Sequence, residues 1–330
     1  MIYDWGDTLK DEPRFRHKQV REAVFGKMVS DWDEVSNLPR ELKEKLKQKA
    51  PLEIQGEVQE SESSNTAKAV IFLADQERVE TVLMKHKDRN TVCVSTQIGC
   101  SLGCDFCLTG RSGLVRNLRA EEIVSQVLFF ARRLKEAGEQ VTNVVFMGMG
   151  EAFLNYAEVM KAVRILNQDM GLGARKISIS TVGIVEGIKK LAGEPEQVNL
   201  AVSLHAPDNE LRNKLMPVNK KYPLEKLLPA IRGYIEKTNR KVMIEYLMLQ
   251  GVNDSPNQAR EFAELLQKNL PSLFMVNLIS YNPTERYGSS SASAIGKFKE
   301  ILQQEYKIDT VQRYKFGRDI KGACGQLASH

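Results

Sequence analysis

Apolar residues recur along this chain in two alternating rhythms. From residue 91 onward, short runs rich in Val, Ile, Leu and Met alternate with longer stretches whose apolar positions fall three and four apart. Short runs bounded by turn residues mark buried strands, and the wider spacing marks helices that lie on them. The strands read in this way are 91–95, 143–147, 176–180, 198–203, 241–248 and 275–281, with a helix at 120–136. Six β/α units in succession predict an α/β protein with a parallel sheet covered by helices, either a partial barrel or a doubly wound sheet. Upstream the rhythm changes. Residues 13–49 are highly charged and helical in pattern, with Phe15, Val20, Val24, Phe25 and Met28 on a partial apolar face ahead of Trp32, Val35 and Leu38. Residues 51–68 read as a polar loop, and 69–74 and 79–84 as short strands. The expected division is a helical accessory region over 1–60, a β-rich extension over 61–90 and a core over 91–330.

Composition narrows the class. With 330 residues, 42% of them hydrophobic, the chain can bury a substantial core. No run of eighteen apolar residues occurs, and the start Met1-Ile2-Tyr3-Asp4-Trp5-Gly6 has neither a basic leader nor an apolar signal core, so no membrane association and a cytoplasmic location are expected. A net charge of +5 is compatible with a polyanionic partner and equally with a solvated basic surface. The clusters are more telling than the total. Arg111, Arg116 and Arg119 follow one cysteine-rich loop, while Arg313, Lys315, Arg318 and Lys321 precede the last cysteine, so phosphate would be attracted to both places. Five cysteines in a chain of this kind read as ligands and reactive thiols rather than a disulfide framework.

Three of those cysteines, Cys100, Cys104 and Cys107, lie in Gln97-Ile98-Gly99-Cys100-Ser101-Leu102-Gly103-Cys104-Asp105-Phe106-Cys107, directly after the first strand of the core. Three thiolates on one loop can hold a polynuclear iron–sulfur centre and leave one iron without a protein ligand. A structural zinc site would require a fourth ligand, for which His86 or Cys93 is the upstream candidate.

This spacing, with an aromatic residue before the last cysteine, resembles the radical S-adenosylmethionine (SAM) superfamily. Further residues narrow the resemblance: Thr91-Val92-Cys93-Val94-Ser95, Gly148-Met149-Gly150-Glu151, Ile179-Ser180-Thr181, Ser203-Leu204-His205-Ala206-Pro207, Tyr281-Asn282-Pro283 and Ala323-Cys324-Gly325-Gln326-Leu327. In that order they are similar to the RlmN/Cfr family of RNA adenosine methyltransferases. The resemblance implies a partial (β/α)6 radical SAM barrel with a small N-terminal helical domain that helps to grip RNA. It also implies a [4Fe-4S] cluster on Cys100, Cys104 and Cys107 and a SAM site built from Gly150, Glu151, Ser180, Ser203, Leu204, His205 and Asn282.

The resemblance also implies a route. An adenine C2 or C8 carbon is a poor nucleophile, so direct displacement at the sulfonium methyl is not credible, and radical chemistry avoids that barrier. Cys324 would be methylated by one SAM, lose a methyl hydrogen to the radical made from a second, and add to the base. Cys93 would then attack the Cys324 sulfur and release the product with a disulfide left behind. Glu80 is expected to take the proton lost by the base, although the Cys93 thiolate is an alternative acceptor. Without the resemblance, Cys93 also reads as a buried strand cysteine, and Glu80 reads equally as a solvent-facing strand glutamate.

The expected activity is methylation of an adenosine carbon in 23S rRNA, with C2 favoured and tRNA as a further substrate, by a monomer served by a flavodoxin-type reductant. Ala152 after Glu151, Thr109-Gly110 and Ile179-Ser180-Thr181-Val182-Gly183-Ile184 lean toward the C8-methylating, Cfr-like branch, whereas Asn219-Lys220-Lys221-Tyr222 resembles the C2 branch. The other readings are a radical SAM enzyme with a non-RNA substrate and a non-catalytic, zinc-stabilised RNA-binding module.

Overall fold

The computed structural model describes residues 5–6, 8–63, 65–283, 286–314, 317, 319–320, 322 and 325–327. Four antiparallel strands come first: β1 (Gly56–Glu60), β2 (Thr66–Phe72), β3 (Arg78–His86) and β4 (Arg89–Val94). A separate hairpin, β5 (Gln97–Gly99) and β6 (Leu114–Asn117), brackets the cysteine loop. The chain then alternates with helices through β7 (Asn143–Phe146), β8 (Ile177–Thr181), β9 (Asn199–Ser203), β10 (Val242–Met248), β11 (Phe274–Ser280) and β12 (Thr310–Gln312). Apart from the hairpin, these strands form one sheet in the order β1-β2-β3-β4-β7-β8-β9-β10-β11-β12, and every pair from β4 onward is parallel.

That order decides between the two architectures. A doubly wound sheet reverses its strand order at a switch point, and here each new strand adds to the same edge. The sheet is also rolled. Val82 of β3 and Cys93 of β4 line the same cavity, of about 620 Å³, as Ile279 of β11 and Val311 of β12 from the far side of the parallel run. The protein is therefore a partial barrel. Two described residues after β12 reach the antiparallel strands and their loop: the Tyr314 ring lies 5.2 Å from that of His86, and the Asp319 carboxylate accepts from the Glu62 amide at 2.8 Å.

All six predicted core strands are present, and the helix Ala120–Glu136 lies where its apolar spacing put it, burying Ile123, Val124, Val127, Leu128, Phe130 and Leu134. Residues 51–68 are not the loop expected, because β1 and the start of β2 occupy them. β1 is an edge strand with mostly exposed polar side chains, so backbone pairing holds it without any apolar alternation to signal it. The short strands β5, β6 and β12 were hidden for a similar reason, being three or four residues long.

The N-terminal helices Arg14–Arg21 and Arg40–Lys49 pack through Trp5, Phe25 and Trp32, with ring centroids 5.8 and 6.3 Å apart, and Trp32 Nε1 donates to the Ala50 carbonyl at 2.9 Å. They are tied to the barrel by Arg132 of the helix Ala120–Glu136, which donates to the carbonyls of Met28 (3.3 Å), Val29 (2.6 Å) and Leu52 (2.8 Å). Among the described residues no helix is long and apolar enough to cross a membrane.

Arg132→Leu leaves those carbonyls without their cationic donor and is expected to cost about 2 kcal/mol. A lowered urea midpoint and faster proteolysis within residues 5–50 would show it, and an unchanged midpoint would refute it.

Candidate active site

The cysteine loop leaves β5 through Gly99, where φ is +73° and a Cβ would lie 1.9 Å from the Gly113 carbonyl oxygen, so only glycine fits. That carbonyl accepts the Cys100 amide at 2.7 Å, which closes the base of the loop. The Asp105 amide donates to the Leu215 carbonyl at 2.9 Å, Tyr281 Oη to the Phe106 carbonyl at 3.1 Å, and Tyr287 Oη to the Asp105 carboxylate at 2.5 Å. Arg286 pairs with the same carboxylate. Just beyond Cys107, the Leu108 amide donates to the Gly325 carbonyl at 3.0 Å and Thr109 Oγ1 to that of Leu327 at 2.6 Å.

Cys100 and Cys104 are buried and Cys107 is half-buried. Burial, reinforced by the neighbouring Cys107, pushes the Cys100 thiol up to about 11. Burial drives Cys104 higher still, with Cys107 and Cys100 both opposing its charge. Cys100 and Cys104 so placed hold their protons until a strongly cationic centre displaces them. A soft, all-thiol set on a fixed loop suits an iron–sulfur cluster.

Beside this loop, β7 ends in Gly148 and Gly150. A Cβ on Gly148 would meet Ser95 Oγ at 2.6 Å and the Ser95 nitrogen at 2.8 Å, and one on Gly150, where φ is +93°, would meet Gln97 at 2.5 Å. The glycines thus let this turn press against the chain leaving β4. Ser95 Oγ accepts the Met149 amide at 2.8 Å and donates to the Glu80 carbonyl at 2.6 Å. Glu151 is buried, and burial raises its pKa even though its carboxylate accepts from the amides of Phe153 (3.0 Å) and Val182 (2.8 Å).

Ser180 and Ser203 stand half-buried near the ends of β8 and β9, and Leu204 and His205 follow, both buried. His205 is held at φ +61°, and its ring lies edge-on to Phe106 at 5.3 Å. Its Nδ1 lies 3.1 Å from the Leu247 amide and 3.0 Å from the Glu245 carbonyl. A neutral ring with Nδ1 unprotonated satisfies the first of these. Burial, with Arg212 nearby, lowers its pKa to about 3. Asn282 is buried on the cavity wall at the end of β11.

Cys93 also lines that cavity. Its register partner on β3 is Val82, and Glu80 lies two residues along on the same face, buried and 3.0 Å from Lys68 Nζ. Glu80 is therefore not the solvent-facing residue of the bland reading. Cys324 lies outside the described residues. Arg212, Glu245 and Asn277 were missed by the sequence reading. Asn277 Nδ2 donates to Glu245 Oε1 at 2.9 Å inside the barrel. Glu245 and Asn277 carried one signal, a charged or amide residue within an apolar strand, whereas Arg212 lies on a short helix and carried none.

A partial barrel with a three-thiol loop at its strand ends defines a class. A family model described as the radical SAM superfamily matches residues 94–283. A radical SAM methyltransferase from Sphaerobacter thermophilus superposes with a TM-score of 0.93 at 42% identity, covering 99% of this chain and 97% of that one. A probable dual-specificity RNA methyltransferase RlmN of Dictyoglomus thermophilum is 44% identical, covering 99% of this chain and 92% of that protein. The ribosomal RNA large subunit methyltransferase N of Nitrosopumilus maritimus is 43% identical, covering 95% and 92%. The chain belongs to the RlmN family of radical SAM RNA methyltransferases. Its cofactors are accordingly SAM and an iron–sulfur cluster.

Two outcomes follow from this geometry. Gly148→Ala forces backbone apart at Ser95 and is expected to destabilise the fold by about 2 kcal/mol or more, read as a lowered Tm with reduced SAM binding; wild-type values would refute it. In the cluster-free protein, a His205 whose folded pKa is about 3, below its ordinary 6.5, makes the unfolded chain the better proton binder. Stability is then intact above pH 6.5 and falls as pH drops toward 3, by up to about 1.4 kcal/mol per unit. His205→Asn, with an amide oxygen to accept the Leu247 amide, is expected to flatten that slope between pH 6 and 4 in denaturant titrations. An unchanged slope would remove His205 as its source.

Proposed function

We propose that the protein methylates C2 of an adenosine in 23S rRNA, with tRNA as its second substrate, using a [4Fe-4S] cluster held by Cys100, Cys104 and Cys107. What carries this reading is the tail: Gly325 and Leu327, just beyond Cys324, are bonded to residues 108 and 109 beside the thiol loop, while Cys93 lines the adjoining cavity. Membership in the RlmN family favours C2 over the C8 alternative. Residues 1–60 are proposed as an accessory region that grips RNA and 61–90 as a β-rich extension on the core 91–330. The chain works as a monomer supplied with electrons by a flavodoxin-type protein.

Cys100, Cys104 and Cys107 would hold the cluster, and it would supply the one-electron reducing chemistry that turns SAM into a hydrogen-abstracting reagent. Gly150 shapes the turn that the methionyl part of SAM lies against, and Glu151, with two amides already on its carboxylate, supplies its remaining acceptor capacity to the SAM ammonium. Ser180, Ser203, Leu204, His205 and Asn282 line the adenosyl side. A neutral His205 places no second cation beside the sulfonium.

The target adenine leaves its stack to enter the cavity, where the Cys324 methylene radical would add to C2; rearomatisation would send the C2 proton to Glu80 and the unpaired electron back to the cluster. Cys93 thiolate then attacks the Cys324 sulfur: the S–S bond forms as the S–C bond breaks, and the electron pair passes to the carbon, which takes a proton and becomes the methyl group. This requires the two Cα atoms within about 7 Å at that moment.

Reconstituted wild-type enzyme is expected to yield 2-methyladenosine by nuclease digestion and mass spectrometry, Cys324→Ala none, and Cys93→Ala an enzyme–RNA adduct that persists under denaturation. Methyladenosine undiminished in Cys324→Ala would overturn the route, and 8-methyladenosine from the wild type would overturn the regiochemistry.

A further inference from the structure

Arg212 is completely buried, 0% exposed, on the short helix Asn209–Leu215. Its guanidinium donates to five oxygens: Nε to the Leu204 carbonyl (3.2 Å), Nη1 to Asn219 Oδ1 (2.6 Å) and the Tyr222 carbonyl (3.3 Å), and Nη2 to the carbonyls of Val182 (2.7 Å) and Ser203 (3.3 Å). All five acceptors are neutral, and among the described residues no carboxylate lies within ion-pair distance of Arg212. Such a network disperses a charge without cancelling it. A buried cation held in this way is costly unless an anion comes to it.

The anion available is the cysteine loop. The helix that carries Arg212 ends at Leu215, whose carbonyl accepts the amide of Asp105, the residue after Cys104. The Phe106 ring of the same loop abuts His205, the neighbour of Leu204. Burial lowers Arg212 to about 10, and the opposing, favourable interaction comes from Cys104.

We infer that Arg212 is a built-in counter-charge for the cluster held by Cys100, Cys104 and Cys107, a positioning residue that raises the cluster's reduction potential and helps to retain it. The inference rests on the cluster proposed above. A fixed positive charge favours whichever state of the cluster is more negative, which is the reduced one, and net charge is among the terms that set such potentials. Reduction is also the step on which SAM cleavage depends. One residue would thus shape both loops of the SAM site and make the electron easier to accept.

Reductive titration of the reconstituted holoenzyme without RNA, followed by electron paramagnetic resonance, tests this. Arg212→Met is expected to lower the reduced-to-oxidised ratio at fixed potential roughly tenfold, a negative shift of about 59 mV for a one-electron couple. Arg212→Lys, which keeps the charge and loses the planar fork, is expected to stay near the wild-type potential while losing thermal stability. Should Arg212→Met fail to fold, Asn219→Asp sets a carboxylate against the guanidinium, neutralises it in place, and is expected to shift the potential in the same negative direction. A role in packing alone would lower Tm in all variants and move none of the potentials. Wild-type potentials in Arg212→Met or Asn219→Asp with a normal cluster content would overturn the counter-charge. Wild-type protein lacking inorganic sulfide would instead overturn the cluster reading beneath it.

Discussion

The rim of the barrel is held by two buried charges that meet on one residue rather than on each other. Val182 donates its amide to the Glu151 carboxylate and gives its carbonyl to the Arg212 guanidinium, at 2.8 and 2.7 Å. Through Glu151 the loop after β7 is fixed to the end of β8, and through Arg212 the end of β8 is fixed to that of β9 and to the helix beneath the cysteine loop. Because both are satisfied chiefly by backbone, neither neutralises the other, and the rim retains separated charges of both signs in a place sheltered from water. Such an environment magnifies electrostatic effects on whatever binds there. The proposed SAM site would therefore be held by the same bonds that shape its electrostatics.

Much of this was legible in the sequence because period and spacing are local properties. The six core strands announced themselves as short apolar runs, and the three cysteines sit on one loop, so their proximity needed no knowledge of the fold. The architecture followed less directly: alternation fits a barrel and a doubly wound sheet equally, and only pairing order separates them. Cys93 and Glu80 were readable through the family resemblance, but their shared face depends on the register of β3 with β4.

Arg212 was not legible at all. In Asn209-Glu210-Leu211-Arg212-Asn213-Lys214-Leu215 it stands among exposed charges on what looks like a surface helix, and its burial arises from loops that come from elsewhere in the chain. The glycines of Gly148-Met149-Gly150 were named through the family resemblance, and the packing adds a demand of its own. They are needed because Ser95 and Gln97 press on them, whatever SAM requires. In each case the missing information was long-range: which backbone lies against which.

The two contacts made from beyond β12 have a consequence for how the molecule is made. The bond between Glu62 and Asp319 joins residues 257 apart in sequence, and the His86–Tyr314 contact is nearly as distant. During synthesis the early meander and the growing sheet leave the ribosome long before Tyr314 and Asp319 do, so these contacts form only after the whole parallel run has been made. Pairing across such a distance is slow. The nascent enzyme therefore carries its antiparallel meander through the making of the entire parallel run before the partners of Glu62 and His86 arrive.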